Sequence, residues 1–129
     1  MPHLTDVMRR ELIEVAPEDT LGEVAERMSE ANVGAVIVKD FGRLIGILTE
    51  RDMLKAMAAR VHTSEARVRQ WMTEDPITAS ADTEVEDAAR TMLEHGFRHL
   101  PVLDESGQVT GIASLRRVVA ATQAAADRA

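Results

Sequence analysis

Gly46-Ile47-Leu48-Thr49-Glu50-Arg51-Asp52-Met53 is the stretch from which the fold can be read. It passes from an apolar, strand-like run into a polar segment. That segment opens on Thr and places an Asp three residues later, the pattern of a helix N-terminus. Its first two residues recur as Gly111-Ile112, followed by Ser114 where the first copy has Thr49. Outward from there the recurrence covers the chain at an offset of about 64 residues. Val7-Met8 returns as Trp71-Met72, and Glu18-Asp19-Thr20 as Ala81-Asp82-Thr83. Leu21, Val24, Ala25 and Met28 return as Val85, Ala88, Ala89 and Met92, Val36 to Val38 as Leu100 to Val102, and Gly42 as Gly107. Two copies, residues 1–63 and 64–129, fill the 129-residue chain.

Each copy predicts the same order of elements. A short apolar strand, Leu12 to Val15 or Pro76 to Ala79, precedes a helix with its apolar residues on one face. Thr20 with Glu23, and Thr83 with Glu86, have the spacing of a capping box. Asn32 and Gly96 mark the helix ends, because both tolerate the left-handed conformation there. Two strands around a glycine-bearing turn follow, Ala35–Lys39 with Leu44–Leu48, and His99–Leu103 with Val109–Ala113. A second helix closes each copy, from Glu50 to about Ala59 and from Leu115 to about Ala125. The fold class is therefore mixed α/β (α+β), two β-α-β-β-α repeats. One copy is too short to close a core well, so the two are expected to pack about a pseudo-twofold axis with clefts between them. Residues 60–72 read as a short connecting helix that docks on the second copy.

Composition narrows the function. Aromatic residues make up 2% of the chain and the net charge is −7, which argues against nucleic-acid and membrane partners. With no cysteine, thiol catalysis, thiolate metal sites and disulfides are excluded, in keeping with a cytoplasmic setting. The N-terminus has no basic-then-apolar leader, and no apolar run reaches the ~20 residues of a membrane span. His3, His62, His95 and His99 lack metal-ligand spacing, and no nucleophile–base pair or glycine-rich phosphate loop is present, so no enzymatic activity and no metal are expected.

The segment from Gly46 to Met53 resembles the signature of the CBS-domain family, Gly-apolar-apolar-Thr-x-x-Asp-apolar, and His95 to Val102 resembles the family's second-strand segment. The resemblance runs from about residue 4 to residue 122 and implies a free-standing CBS pair, or Bateman module. Such pairs bind AMP, ADP, ATP, NAD(H) or S-adenosylmethionine between their repeats. They form homodimers and regulate an enzyme or transporter. No catalytic cofactor is implied.

Carried over by the resemblance, Asp52 receives the ribose hydroxyls and Thr49 contacts phosphate. The chemistry is sound: a carboxylate accepts two hydrogen bonds, and a helix start offers free N–H groups to an anion. Arg51 would add charge-assisted bonds to phosphate. Thr49 and Asp52 read equally well as a plain helix cap that needs no ligand. Ile77 to Ala79, with Thr78 between them, would flank the base, Phe97 and Arg98 would touch base and phosphate, and His99 lies beside them. Without a ligand, Arg98 reads as a solvated strand charge and His99 as a half-buried interface histidine.

The second potential site departs from the pattern. Ser114 can replace Thr, but Arg117 stands where Asp is expected and cannot accept a hydrogen bond. Gly34-Ala35 stand where the other set has Arg98-His99. The site is either empty or takes a different anion on Arg116 and Arg117. An arginine at a helix start opposes the dipole and points to a local acidic partner or ligand. Two functional classes follow: an adenosine-ligand sensor, and a ligand-free dimerisation or partner-docking module. Met53, Leu54, Met57, Val118, Val119 and Thr122 are expected to exceed what one small core absorbs and to form the dimer face.

Overall fold

The computed structural model describes residues 2–128. Along the chain these form α1 (Leu4–Val7), β1 (Glu14–Val15), α2 (Leu21–Ala31), β2 (Ala35–Asp40), β3 (Arg43–Thr49), α3 (Glu50–Ala58), α4 (Val68–Trp71), β4 (Thr73–Glu74), β5 (Ala79–Ser80), α5 (Val85–His95), β6 (His99–Leu103), β7 (Val109–Ser114) and α6 (Leu115–Arg128). The expected repeat order is present in both halves, in a mixed α/β fold with two sheets.

The compact units do not follow the repeat boundary. One unit is Ile13–Pro76; the other joins residues 2–12 to residues 77–128. Each repeat thus receives the short helix that precedes the other repeat in sequence. Residues 60–72 dock on the first copy, not on the second as expected. Ala66 and Val68 are buried in the core of the first repeat with Leu21, Val24, Val36 and Leu48. Leu21 N–H donates to the Ala66 carbonyl, and Val68 N–H to that of Asp19, each at 2.9 Å. In the other unit α1 takes the equivalent place. Leu4 is fully buried and Met8 nearly so, in a core with Val85, Met92, Leu100 and Val118.

The sheets show why these docked segments are needed. In the first unit the order is β1-β2-β3-β4, with β1 parallel to β2 and the other pairs antiparallel. Its central run Ala35-Val36-Ile37-Val38 is buried throughout, as a strand covered on both faces must be. The second sheet is β5-β6-β7, parallel then antiparallel. Arg9 and Ile112 exchange both backbone hydrogen bonds at 2.9 Å, so residue 9 satisfies the outer edge of β7 much as β4 does for β3.

Docking brings backbone very close at two glycines. A Cβ on Gly46 would lie 2.8 Å from Met72 Sδ and 2.9 Å from the Thr73 carbonyl. A Cβ on Gly111 would lie 2.6 Å from Met8 Sδ and 3.0 Å from the Arg9 carbonyl. The recurring glycine therefore leaves space for the docked segment.

Helix ends follow the sequence with one exception. Thr20 caps α2, its hydroxyl accepting Glu23 N–H at 3.2 Å, and Asn32 and Gly96 close their helices in the left-handed region. Thr83 does not cap α5. That helix starts one residue later, with Glu84 at the cap position and no side-chain cap bond. The Thr83 hydroxyl instead lies 3.2 Å from that of Ser80. The physical counterpart of Thr20 is Glu84, not Thr83.

The surplus of apolar residues on the closing helices is smaller than expected. Val118 is fully buried within its own unit, and Met53 is half-buried against the first core. Leu54, Met57 and Val119 remain exposed, at 65%, 70% and 44%.

Replacing Gly46 or Gly111 by Ala is expected to destabilise the protein by about 1–3 kcal/mol each, because Cβ meets a backbone carbonyl as well as a flexible sulfur. Urea unfolding checks this: midpoints equal to the parent's for both variants would rule out the close approach.

Candidate ligand site at the strand–helix junctions

In each unit a strand ends in a hydroxyl residue that opens a helix, and the residues before the neighbouring strand lie against this junction. In the first unit Glu50 N–H donates to the Gly34 carbonyl at 2.9 Å and Ala35 pairs with Thr49. In the second, Leu115 N–H donates to the Arg98 carbonyl at 2.8 Å and His99 pairs with Ser114. The fold thus brings Arg98 and His99 to the Ser114 junction, and Gly34 and Ala35 to the Thr49 junction.

At the first junction Thr49 and Asp52 form a reciprocal cap. Asp52 Oδ2 accepts Thr49 N–H at 2.9 Å and the Thr49 hydroxyl at 3.1 Å, while Asp52 N–H donates to Thr49 Oγ at 3.3 Å. Asp52 is buried, at 9% exposure, so its carboxylate is fixed in place. Both side-chain bonds fall on Oδ2; among the described residues Oδ1 takes no donor. The cap and a ligand role are therefore compatible, since one oxygen orders the helix and the other has its lone pairs left to accept hydroxyl groups. Arg51 is exposed on the first turn of α3.

Sequence reasoning missed one group here. The Glu50 carboxylate packs over Gly34, with Oε1 3.1 Å from where a Cβ would stand. The signal was an acidic residue at the first helical position beside a strand preceded by glycine. The first turn of α3 consequently carries two carboxylates, Glu50 and Asp52, which its dipole favours.

The second junction has the opposite character. Arg117 N–H donates to Ser114 Oγ at 3.3 Å, so Ser114 does cap α6. The return bond is impossible for a guanidinium. Arg117 Nη1 instead reaches the Val7 carbonyl at 3.4 Å, at the C-terminal end of α1. This partner is a neutral carbonyl rather than the acidic group or ligand expected beside an arginine at a helix start, and it comes from the docked N-terminal segment, far away in sequence. Arg116 is exposed, and the first turn of α6 has no acidic residue.

The remaining candidates are divided by burial. Ile77 and Thr78 are exposed, Ile77 at 41%, and precede β5; the expected strand over Pro76 to Ala79 is reduced to Ala79–Ser80. Phe97 is half-buried against the second core, its ring 5.8 Å from that of His95. Arg98 is exposed and His99 half-buried. Among the described residues no three His, Asp or Glu side chains gather as a metal site, and no helix is long and apolar enough to cross a membrane.

Two copies of a repeat, each with a glycine-floored strand leading into a capped helix, define a tandem module. The CBS domain model matches residues 4–59 and again residues 68–123. The chain belongs to the CBS-domain family and carries a pair of these domains. It is 43% identical over 103 residues to the uncharacterized 17.7 kDa protein in the bps2 3′ region of Acidianus ambivalens, covering 79% of this chain and 62% of that one. With MK0525 of Methanopyrus kandleri the identity is 34%, over 88% of this chain and 59% of the relative. The chain thus spans about three-fifths of the length of both. Among solved structures it resembles the CBS domain pair of protein MJ0100, in complex with 5′-methylthioadenosine and S-adenosyl-L-methionine. That match has a TM-score of 0.84 and 25% identity, over 94% of this chain and 99% of that one. It also resembles CBSX2 in complex with AMP, with TM-score 0.75 and 29% identity over 94% and 96% of the two chains.

Asp52→Ala is expected to lower stability in the absence of any ligand by about 0.5–2 kcal/mol, the usual cost of a lost helix cap. Urea unfolding of the ligand-free protein measures this, and an unchanged midpoint would mean that the Thr49–Asp52 cap contributes nothing.

Proposed function

We propose that the protein is a regulatory module in which the repeats 1–63 and 64–129 act as one pair, binding an adenosine-type ligand and carrying out no reaction on it. The ligand class is AMP, ADP, ATP, NAD(H) or S-adenosylmethionine. The observation that carries this reading is the half-engaged carboxylate of Asp52: bonded through Oδ2, with Oδ1 left without a donor among the described residues. A fixed acceptor at a helix start suits a vicinal diol, because the ordering cost is already met by the cap. In this reading Thr49 and Arg51 serve a phosphate or other 5′ substituent, Ile77 and Thr78 flank the base, and Phe97, Arg98 and His99 complete the ligand shell. The ligands of the MJ0100 and CBSX2 complexes support the adenosine class.

Ser114, Arg116 and Arg117 form at most a minor anion site, since Arg117 already serves the Val7 carbonyl. A second reading, a docking or dimerisation module without ligand, is favoured by the closure of Thr49 and Asp52 on each other. The exposed Leu54, Met57 and Val119 support a homodimer under either reading. The regulated partner would be an enzyme or transporter, and the absence of cysteine suits a cytoplasmic setting.

Titration calorimetry with AMP tests the ligand reading. Asp52→Ala should weaken binding about tenfold to a hundredfold, as expected for the loss of hydrogen bonds to a charged acceptor, and Arg117→Ala should change it far less. No binding of any adenosine ligand to the parent would leave the docking reading. Light scattering at micromolar concentration is expected to give twice the chain mass, and a monomer mass with and without nucleotide would refute the dimer.

A further inference from the structure

The methionine–glycine contact recurs in both units, but the two methionines are not equally shielded. Met8 Sδ lies 2.6 Å from where a Cβ of Gly111 would stand, and Met72 Sδ 2.8 Å from the same point on Gly46. Met8 is 7% exposed, whereas Met72 is half-buried. Met72 closes α4, its N–H donating to the Val68 carbonyl at 2.9 Å, and its side chain packs against the first core. The next two residues, Thr73 and Glu74, are exposed and pair with Ile47 and Gly46 as β4. Asp75 N–H extends this seam to the Ile45 carbonyl at 3.2 Å. The Thr73 carbonyl stands 2.9 Å from the same point above Gly46, so an acceptor shares the space with the sulfur. A thioether suits such a place because it is apolar and slender and needs no hydrogen bond. A sulfoxide adds a polar oxygen and bulk where a carbonyl and apolar side chains stand, and an unsatisfied polar group there is costly.

We propose that Met72 is a redox-sensitive latch: its oxidation to the sulfoxide by hydrogen peroxide releases β4 from the edge of β3, while Val68 stays anchored in the core. In the step the sulfur lone pair attacks one peroxide oxygen, the O–O bond breaks and an S–O bond forms. The sulfur gives up two electrons. The proton of the transferred oxygen passes to the departing hydroxide, which leaves as water. A thiol-dependent methionine sulfoxide reductase reverses the change: two thiols become a disulfide, and the oxygen departs as water. The freed edge belongs to the strand that leads into Thr49 and Asp52, so the latch governs how firmly that junction is held. Met8, nearly buried, keeps the counterpart seam of the other unit closed under the same conditions. None of this depends on which ligand the protein takes.

The test treats the full chain with hydrogen peroxide in a Met57→Leu background, which removes the most exposed thioether among the described residues. Peptide mass spectrometry follows the oxygen on each methionine, and hydrogen exchange by NMR follows the backbone. Met72 is expected to take up oxygen about tenfold faster than Met8, because susceptibility follows exposure. Once it has done so, the Asp75 amide and its neighbours in the β3–β4 seam should exchange about tenfold to a hundredfold faster, the scale set by one unsatisfied polar group. The amides of Val68, Arg9 and Ile112 should keep their protection. Met72→Leu, apolar but unable to take the oxygen, should abolish the response, and Met72→Gln should show the fast exchange with no peroxide added. Reductase with dithiothreitol should restore the seam of the oxidised protein. Unchanged exchange after Met72 has gained its oxygen would overturn the proposal. So would a response that survives in Met72→Leu, a Met72 that resists peroxide while Met8 reacts, or protection lost equally at Val68, which would mean general unfolding rather than a latch. If Met72→Leu itself loosens the seam, the reductase arm decides, and protection that fails to return counts against the latch.

Discussion

In both halves of the chain a methionine lies against a glycine so closely that no side chain could stand between them. Met72 on Gly46 and Met8 on Gly111 mark where a short helix and the residues after it dock on the strand that leads into the closing helix. Much of the structure depends on this contact. It lets the backbone of the docked segment come within hydrogen-bonding reach of β3 or β7, satisfying edges that would otherwise remain open. It also ties each repeat to the short helix that precedes the other repeat in sequence, so that one unit is a contiguous stretch and the other joins the N-terminal segment to residues 77–128.

The same junctions carry the candidate chemistry, and the docked segments make them unlike each other. At the first junction Thr49 and Asp52 close a reciprocal cap, which places a buried carboxylate at a helix start at little electrostatic cost. At the second, Arg117 cannot complete the cap and bonds to the last residue of the docked helix instead. One substitution within a duplicated pattern thus separates a junction with an open acceptor from one whose cation holds the N-terminal segment. The docked methionines add a second asymmetry, Met8 being nearly buried and Met72 half-buried. The repeated sequence supplies two similar frames, and individual side chains differentiate them.

A helix cap and a ligand contact draw on the same residue types, which is why residue identity alone leaves the two readings balanced. The geometry relaxes this opposition. A carboxylate has more acceptor capacity than a cap requires, and Asp52 meets the cap with one oxygen. The rigidity that the cap confers is itself useful for recognition, because a preformed acceptor loses little freedom when a ligand arrives.

The repeat, the order of elements and the helix ends at Asn32 and Gly96 were legible in the sequence, because apolar periodicity and left-handed cap residues act over a few neighbours. Thr49 and Asp52 were legible for the same reason, being one turn apart. What the sequence could not show was anything resting on contacts between distant segments. It placed the connecting helix on the wrong repeat and counted Val118 as surplus, since docking depends on which apolar face meets which core. The N-terminal boundary of α5 moved from Thr83 to Glu84 because the backbone of that turn, not the residue type, sets the cap. The partner of Arg117 and the unequal shielding of Met8 and Met72 were beyond reach for one reason. A carbonyl or a thioether is the same group wherever it occurs, and only tertiary packing decides which carbonyl is left for an arginine and which sulfur stays within reach of solvent.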